Sequence, residues 1–73
     1  MKANIIGEFV RYDLAHETKL RIYENKNGLR GTLLDTYGRK IDSSMFYGKD
    51  KDNTIYRVLE YFGYTDGNYY RIS

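Results

Sequence analysis

Three observations on this sequence predict an α+β fold: a small antiparallel sheet of four to five strands with one amphipathic helix packed on one face. Thr18 to Glu24 alternates with period two, setting Leu20 and Ile22 on one side and Lys19, Arg21 and Tyr23 on the other. Asn25-Lys26-Asn27-Gly28 follows at once and reads as a hairpin turn. Ile55, Val58, Leu59 and Phe62 fall at i, i+3, i+4 and i+7, the spacing of a single helix face. The expected order is β-β-β-(β)-α-β, with residues 1–73 forming one domain.

The first strand is expected from Ala3 to Tyr12, a run rich in Ile, Val, Phe and Tyr. Its alternation is imperfect, since Ile5 and Phe9 share one face and Ile6 and Val10 the other. Either both faces are partly covered, or Gly7 marks a bulge that switches them. Asp13 to Glu17 is a connection. After the second strand the hairpin has two readings. A three-residue loop, a type I turn ending in a left-handed Gly28, sets Glu24 against Arg30, Lys19 against Asp35, Leu20 against Leu34 and Tyr23 across from Gly31. A two-residue Asn27-Gly28 turn sets Ile22 against Leu33 and leaves Leu20 facing Asp35. Two opposite-charge pairs, an apolar pair and a ring over a glycine favour the three-residue loop, each pair contributing roughly 0.2–1 kcal/mol.

Tyr37-Gly38 makes a second turn, and Arg39 to Ser43 returns as a short strand. Ser44 to Lys51 is poorly patterned, with Met45, Phe46 and Tyr47 as anchors. Asp50 and Asp52 mark the start of the helix and Gly63 its end. The apolar stripe is expected against Leu20, Ile22 and Leu34. Asp66-Gly67-Asn68 is a turn, and Tyr69 to Ile72 a final strand.

Composition narrows the function. Nine residues are tyrosine, against one histidine and no cysteine, proline or tryptophan. Tyrosine gives a large, stiff contact surface with a polar tip, the chemistry of binding faces. Without cysteine there is neither a disulfide nor a thiolate zinc site, and a lone His16 builds no histidine cluster. A chain this short hides only about 60% of its unfolded surface, so packing or oligomerisation must make up the deficit. The net charge of +2 falls short of the field of a non-specific nucleic-acid binder. No apolar run approaches a membrane span, and Glu8 arrives too early for a secretory core segment. The chain reads as a complete cytoplasmic protein.

Chemistry-bearing motifs are few. His16-Glu17 sets an imidazole beside a carboxylate with no nucleophile or acid nearby, so it reads as a solvated turn. Asp50-Lys51-Asp52-Asn53 opens like a calcium loop. That loop's fifth, sixth and twelfth positions fall here on Thr54, Ile55 and Tyr61, and helix capping explains the acids instead. Gly28, Gly38, Gly63 and Gly67 all sit at turns or helix ends and form no phosphate loop. No enzyme activity, cofactor or metal is expected.

Two surfaces remain as candidates for partner binding. Lys19, Arg21 and Tyr23 project from one sheet face, which Arg11, Tyr12 and Leu33 would share. Such a face, backed by a helix, suits a protein contact, and as the alternative it enters a DNA groove or stacks single-stranded bases. Tyr56, Tyr61 and Tyr64, off the helix stripe or just beyond it, join Tyr69, Tyr70, Arg57 and Arg71 in a second patch of the Tyr/Arg type. A homodimer is expected as well, through the open edge at Tyr69 to Ile72 or through a tyrosine-lined face.

The ending Tyr61-Phe62-Gly63-Tyr64-Thr65-Asp66-Gly67-Asn68-Tyr69-Tyr70-Arg71-Ile72-Ser73, together with a Lys/Asn/Tyr-rich and cysteine-free composition, resembles small accessory proteins of bacteriophages and mobile elements, anti-CRISPR-like defence inhibitors among them. The resemblance implies a stand-alone domain that works by binding and obstructing a bacterial enzyme or defence complex. Many inhibitors of that class that occlude nucleic-acid channels are strongly acidic, and this chain is not.

Overall fold

The computed structural model describes residues 4–11, 17–65 and 69–71. The strands are β1 (Asn4–Arg11), β2 (Thr18–Asn25), β3 (Gly28–Leu34), β4 (Lys40–Phe46) and β5 (Tyr69–Arg71), and helix α1 (Lys51–Tyr61) lies between β4 and β5 in the chain. They form one sheet in the order β4-β3-β2-β1-β5, antiparallel at every pairing. This is the small α+β fold that the alternation and the helix stripe predict. His16, Tyr12, the Asp66-Gly67-Asn68 turn and Ile72 lie outside the described residues.

In β1 both expected features are present: a bulge at Ile6, and cover on both faces, since Phe9 and Val10 point to opposite sides and each is 5% exposed. Ile5 pairs with Tyr23 and Gly7 with Ile22, so Ile6 is the extra residue. The shift turns Ile6 into the core beside Phe9 and leaves Ile5 half exposed on the other face.

The hairpin corrects both expected registers. Asn25 pairs with Gly28, so the loop is Lys26-Asn27. Leu20 lies opposite Leu33, Ile22 opposite Gly31, Tyr23 opposite Arg30 and Lys19 opposite Leu34. The Asn25 side-chain carbonyl accepts from the backbone N–H of Asn27 at 3.0 Å and of Gly28 at 3.1 Å, closing the loop locally. The expected ion pairs do not form. Glu24 bonds instead to Lys51 at the start of α1 (3.0 Å), and Arg30 donates to Ser43 Oγ (3.1 Å).

The fourth strand runs to Phe46, well past the expected end at Ser43. Phe46 is the anchor of the segment, packed on the core, whereas Tyr47 is exposed.

Helix α1 starts where the acids predict. Asp50 is the N-cap, its carboxylate accepting from the N–H of Asp52 (3.1 Å) and Asn53 (3.3 Å). The helix ends in a Schellman motif. Tyr64 N–H donates to the Leu59 carbonyl at 2.7 Å and Gly63 N–H to the Glu60 carbonyl at 3.2 Å, with Gly63 at φ 78°. The motif brings Tyr64 back over Leu59, and both join the core with Phe9, Leu20, Ile22, Leu29 and Val58. Ile55, Phe62, Ile6, Leu33 and Phe46 pack around it. Leu34, expected under the helix, is instead on the opposite sheet face beside Lys19, its place beneath α1 taken by Leu29 and Leu33.

Candidate functional site

The two candidate surfaces lie on opposite sides of the molecule. On the sheet face away from the helix, register sets Lys19, Arg21 and Tyr23 in a row, each partly exposed, beside the buried Val10, Leu34 and Thr32. Val10, Glu8 and Ile5 flank them on one side, and Leu34, Thr32 and Arg30 on the other. Ser43 and Met45 continue the face onto β4. Leu33 does not belong to it: opposite Leu20, it faces the helix and is partly buried in the core. Arg11 also turns away, donating through Nη1 to the Gly63 carbonyl at the helix end.

This face is less cationic than its sequence reads. Arg21 Nε donates to Glu8 Oε2 at 2.6 Å, across the β1–β2 pairing. The hydrogen bond to Glu8, and after it one to Tyr23, hold the guanidinium above its ordinary pKa range. A carboxylate in the middle of the row repels a phosphate track and engages the arginine that would grip it. Lys19 and Arg30 carry what positive field remains.

The helix presents the other surface. Tyr56 is 52% exposed and Tyr61 60% exposed, with the exposed Arg57 between them. Arg57 and Tyr61 are held in place. Arg57 Nη2 donates to the Tyr47 carbonyl, tying the outer face of α1 to the end of β4. The Tyr61 ring stands edge-on to Phe46 (centroids 5.4 Å) and to Phe62 (4.9 Å), a T-shaped arrangement that fixes its plane while its outer side stays in water.

Tyr64 is not part of this patch. It is 1% exposed, and its hydroxyl shares a 2.7 Å hydrogen bond with Thr18 Oγ1, satisfying the polar tip inside the core. The cap geometry is the physical reason, since residue C″ of a Schellman motif folds back on residue C3. Arg71 is exposed at the β5 edge, its guanidinium 5.4 Å from the Phe9 ring centroid and Nη2 donating to the Ile6 carbonyl at 2.9 Å. Tyr69 and Tyr70 pair through their backbones with Arg11 and Val10.

Two exposed tyrosines escaped the sequence reading. Tyr47 is one, and its position just before Gly48 could have marked it as a turn residue rather than an anchor. Tyr37, at the tip of the β3–β4 connection, is 82% exposed with the Arg39 guanidinium 5.3 Å from its ring centroid. The loop under it is held by one carboxylate. Asp35 accepts from Tyr37 N–H (2.9 Å), Arg39 N–H (2.8 Å) and Arg39 Nε (3.0 Å). A groove of about 310 Å³ runs from this loop to Lys19 and Arg21.

Those bonds, the Arg39 backbone N–H first and that of Tyr37 next, hold the Asp35 carboxyl below its usual range. A depressed folded-state pKa contributes stability above the unfolded value of about 3.9, and that stability is lost as pH falls through the folded value. Asp35→Ala is therefore expected to lower the melting temperature at neutral pH, and the gap from wild type should close as pH drops below about 3.9. Thermal melts across that range check it, and a gap that is constant with pH would show the carboxylate has no such role.

No helix among the described residues is long and apolar enough to cross a membrane. The chain matches no protein-family model, no curated protein and no solved structure.

Proposed function

We propose that the chain is a non-catalytic protein-binding module, of the kind by which a phage or mobile element obstructs a bacterial enzyme or defence complex. The observation that carries the reading is the outer face of α1, where Tyr56, Arg57 and Tyr61 face water and contacts hold Arg57 and Tyr61 in place. Tyrosine and arginine dominate binding hot spots because each offers a large contact area together with directed hydrogen bonds. Side chains already immobilised lose little entropy when a partner arrives. The obstructing role rests on the compositional resemblance of the C-terminal segment. A DNA- or RNA-binding role stands second, favoured by Lys19, Arg30 and Tyr23 sharing the sheet face away from the helix.

Paired variants test the choice. A partner captured from bacterial lysate and then purified should lose affinity by roughly thirtyfold or more to a Tyr56→Ala/Tyr61→Ala variant, a single hot-spot truncation costing ~2 kcal/mol or more. A Lys19→Glu/Arg30→Glu variant should bind it as wild type does. Oligonucleotide titration at two salt concentrations addresses the alternative, because binding through several phosphates weakens steeply with salt. Salt-sensitive oligonucleotide binding that the Lys19/Arg30 variant abolishes, with the helix variant unaffected, would overturn the protein-binding reading.

A further inference from the structure

The outermost strand on the helix-covered side of the sheet is β4, seven residues long and nowhere buried. Its outer backbone edge faces no other described strand, a condition that invites pairing. The opposite edge, β5, is described over only three residues. We propose that two copies of the chain pair antiparallel along β4, about a two-fold axis through Ser43, joining their sheets into one of ten strands.

The sequence of β4 selects both the occupant and the register. Ser43 is the midpoint of Lys40–Phe46, so a two-fold there gives the longest overlap, interrupted only at the bulged Ile41. In this register Ile41 meets Met45 of the second copy, Asp42 meets Ser44, and the two Ser43 residues face each other. No like charges are opposed, and Ile41, 54% exposed in the single chain, gains an apolar neighbour. Ser43 and Met45 share one face with Thr32 and Arg30 of β3, while Ile41 is the extra residue of a bulge between the Leu33–Asp42 and Leu34–Lys40 pairs. Moving the axis to Asp42 would oppose two carboxylates. Moving it to Ser44 would set Asp42 against Phe46 and shorten the overlap. The self-complementarity is a property of this strand, which is why the fitting partner is a second copy.

One local guard has to open. Asp42 Oδ1 accepts from Ser43 N–H at 2.8 Å, covering a donor at the centre of the edge. Pairing displaces that carboxylate, so the association is weak and concentration-dependent. The inference concerns the strand edge alone and does not rest on the helix-face reading.

The chain has no cysteine, so single cysteines report the axis directly. Ser43→Cys should form a disulfide-linked dimer under mild oxidation, since facing residues of an antiparallel pair fall within the Cα separation a disulfide spans. Asn53→Cys, exposed on α1, should cross-link far more slowly. Wild-type chain should sediment with a mass rising from 8.7 kDa towards twice that between micromolar and millimolar concentration. Met45→Lys, at a partly exposed position, should melt as a folded domain and stay monomeric. The proposal is overturned by any of three results. The first is a wild type that stays at the monomer mass up to millimolar concentration. The second is a Ser43→Cys variant that cross-links no faster than Asn53→Cys, or more slowly than Ser44→Cys. The third is a Met45→Lys variant that still dimerises.

Discussion

Leu59→Ala is expected to destabilise the domain by ~2–5 kcal/mol, the range for emptying a buried leucine site. Chains of this length are stable by roughly 0.05–0.15 kcal/mol per residue, so the substitution removes much or all of the margin. Leu59 combines two roles that the variant separates. Its side chain packs in the cluster with Val58 and Tyr64, while its carbonyl accepts the Tyr64 N–H at 2.7 Å. Alanine keeps the carbonyl and the helix propensity. The loss measured is therefore that of the side chain between helix and sheet. Urea melts followed by circular dichroism give the midpoint and slope. A variant that melts like wild type would mean α1 does not seat on the sheet through this residue, and the core described here would be wrong.

The elements legible in the sequence were those announced by a repeated spacing or by backbone chemistry. The stripe at Ile55, Val58, Leu59 and Phe62 does line the buried side of α1, with Val58 and Leu59 deepest. Asp50 and Gly63 bound the helix because they satisfy backbone groups that no other residue supplies. What misled was the use of surface charge to set a register. Glu24 with Arg30 and Lys19 with Asp35 are exposed pairs, each worth well under ~1 kcal/mol, and neither forms. The observed register satisfies two stronger demands, the Asn25 side-chain bonds that close the loop and the fit beneath the helix. Leu33 and Leu34 exchanged faces for the same reason, since a slip of one residue inverts a strand.

Tyr64 is the instructive miss among the candidate contact residues. Its place beyond the helix stripe reads as exposed by periodicity, yet Gly63 as C′ predicts that the next residue returns to touch C3. The signal was present in the cap and absent from the stripe. Tyr56, Arg57 and Tyr61 were legible as outward residues. The fixation of Arg57 was not, because its bond to the Tyr47 carbonyl depends on where β4 ends. The ion pair that ties up Arg21 likewise required the register of β1 against β2, and the Gly7 bulge sets that register.

Gly31→Ala carries the register argument to a measurable sign. In the structure Gly31 lies opposite Ile22 under the helix, and a Cβ built there would sit 2.6 Å from Val58 Cγ1 and 2.7 Å from Phe62 Cε2. Neither neighbour is the loose end of a surface side chain, since Val58 is fully buried and Phe62 is wedged beside Phe46. Replacing glycine by alanine inside a strand normally gains about 0.5–1 kcal/mol through the unfolded chain. Here overpacking of ~1–3 kcal/mol opposes that gain and should exceed it. The variant is therefore expected to be less stable than wild type. Val58→Ala removes one of the two clashing groups, so in the Gly31→Ala/Val58→Ala double variant the loss should fall short of the sum of the single losses. Under the register that sets Gly31 opposite Tyr23, the added methyl would point to the face away from the helix and stabilise the strand. A Gly31→Ala variant more stable than wild type would thus restore that register and return Leu33 to the basic face. The pairing of β3 with β4 would then have to shift with it, and the two-fold inferred at Ser43 would lose its frame.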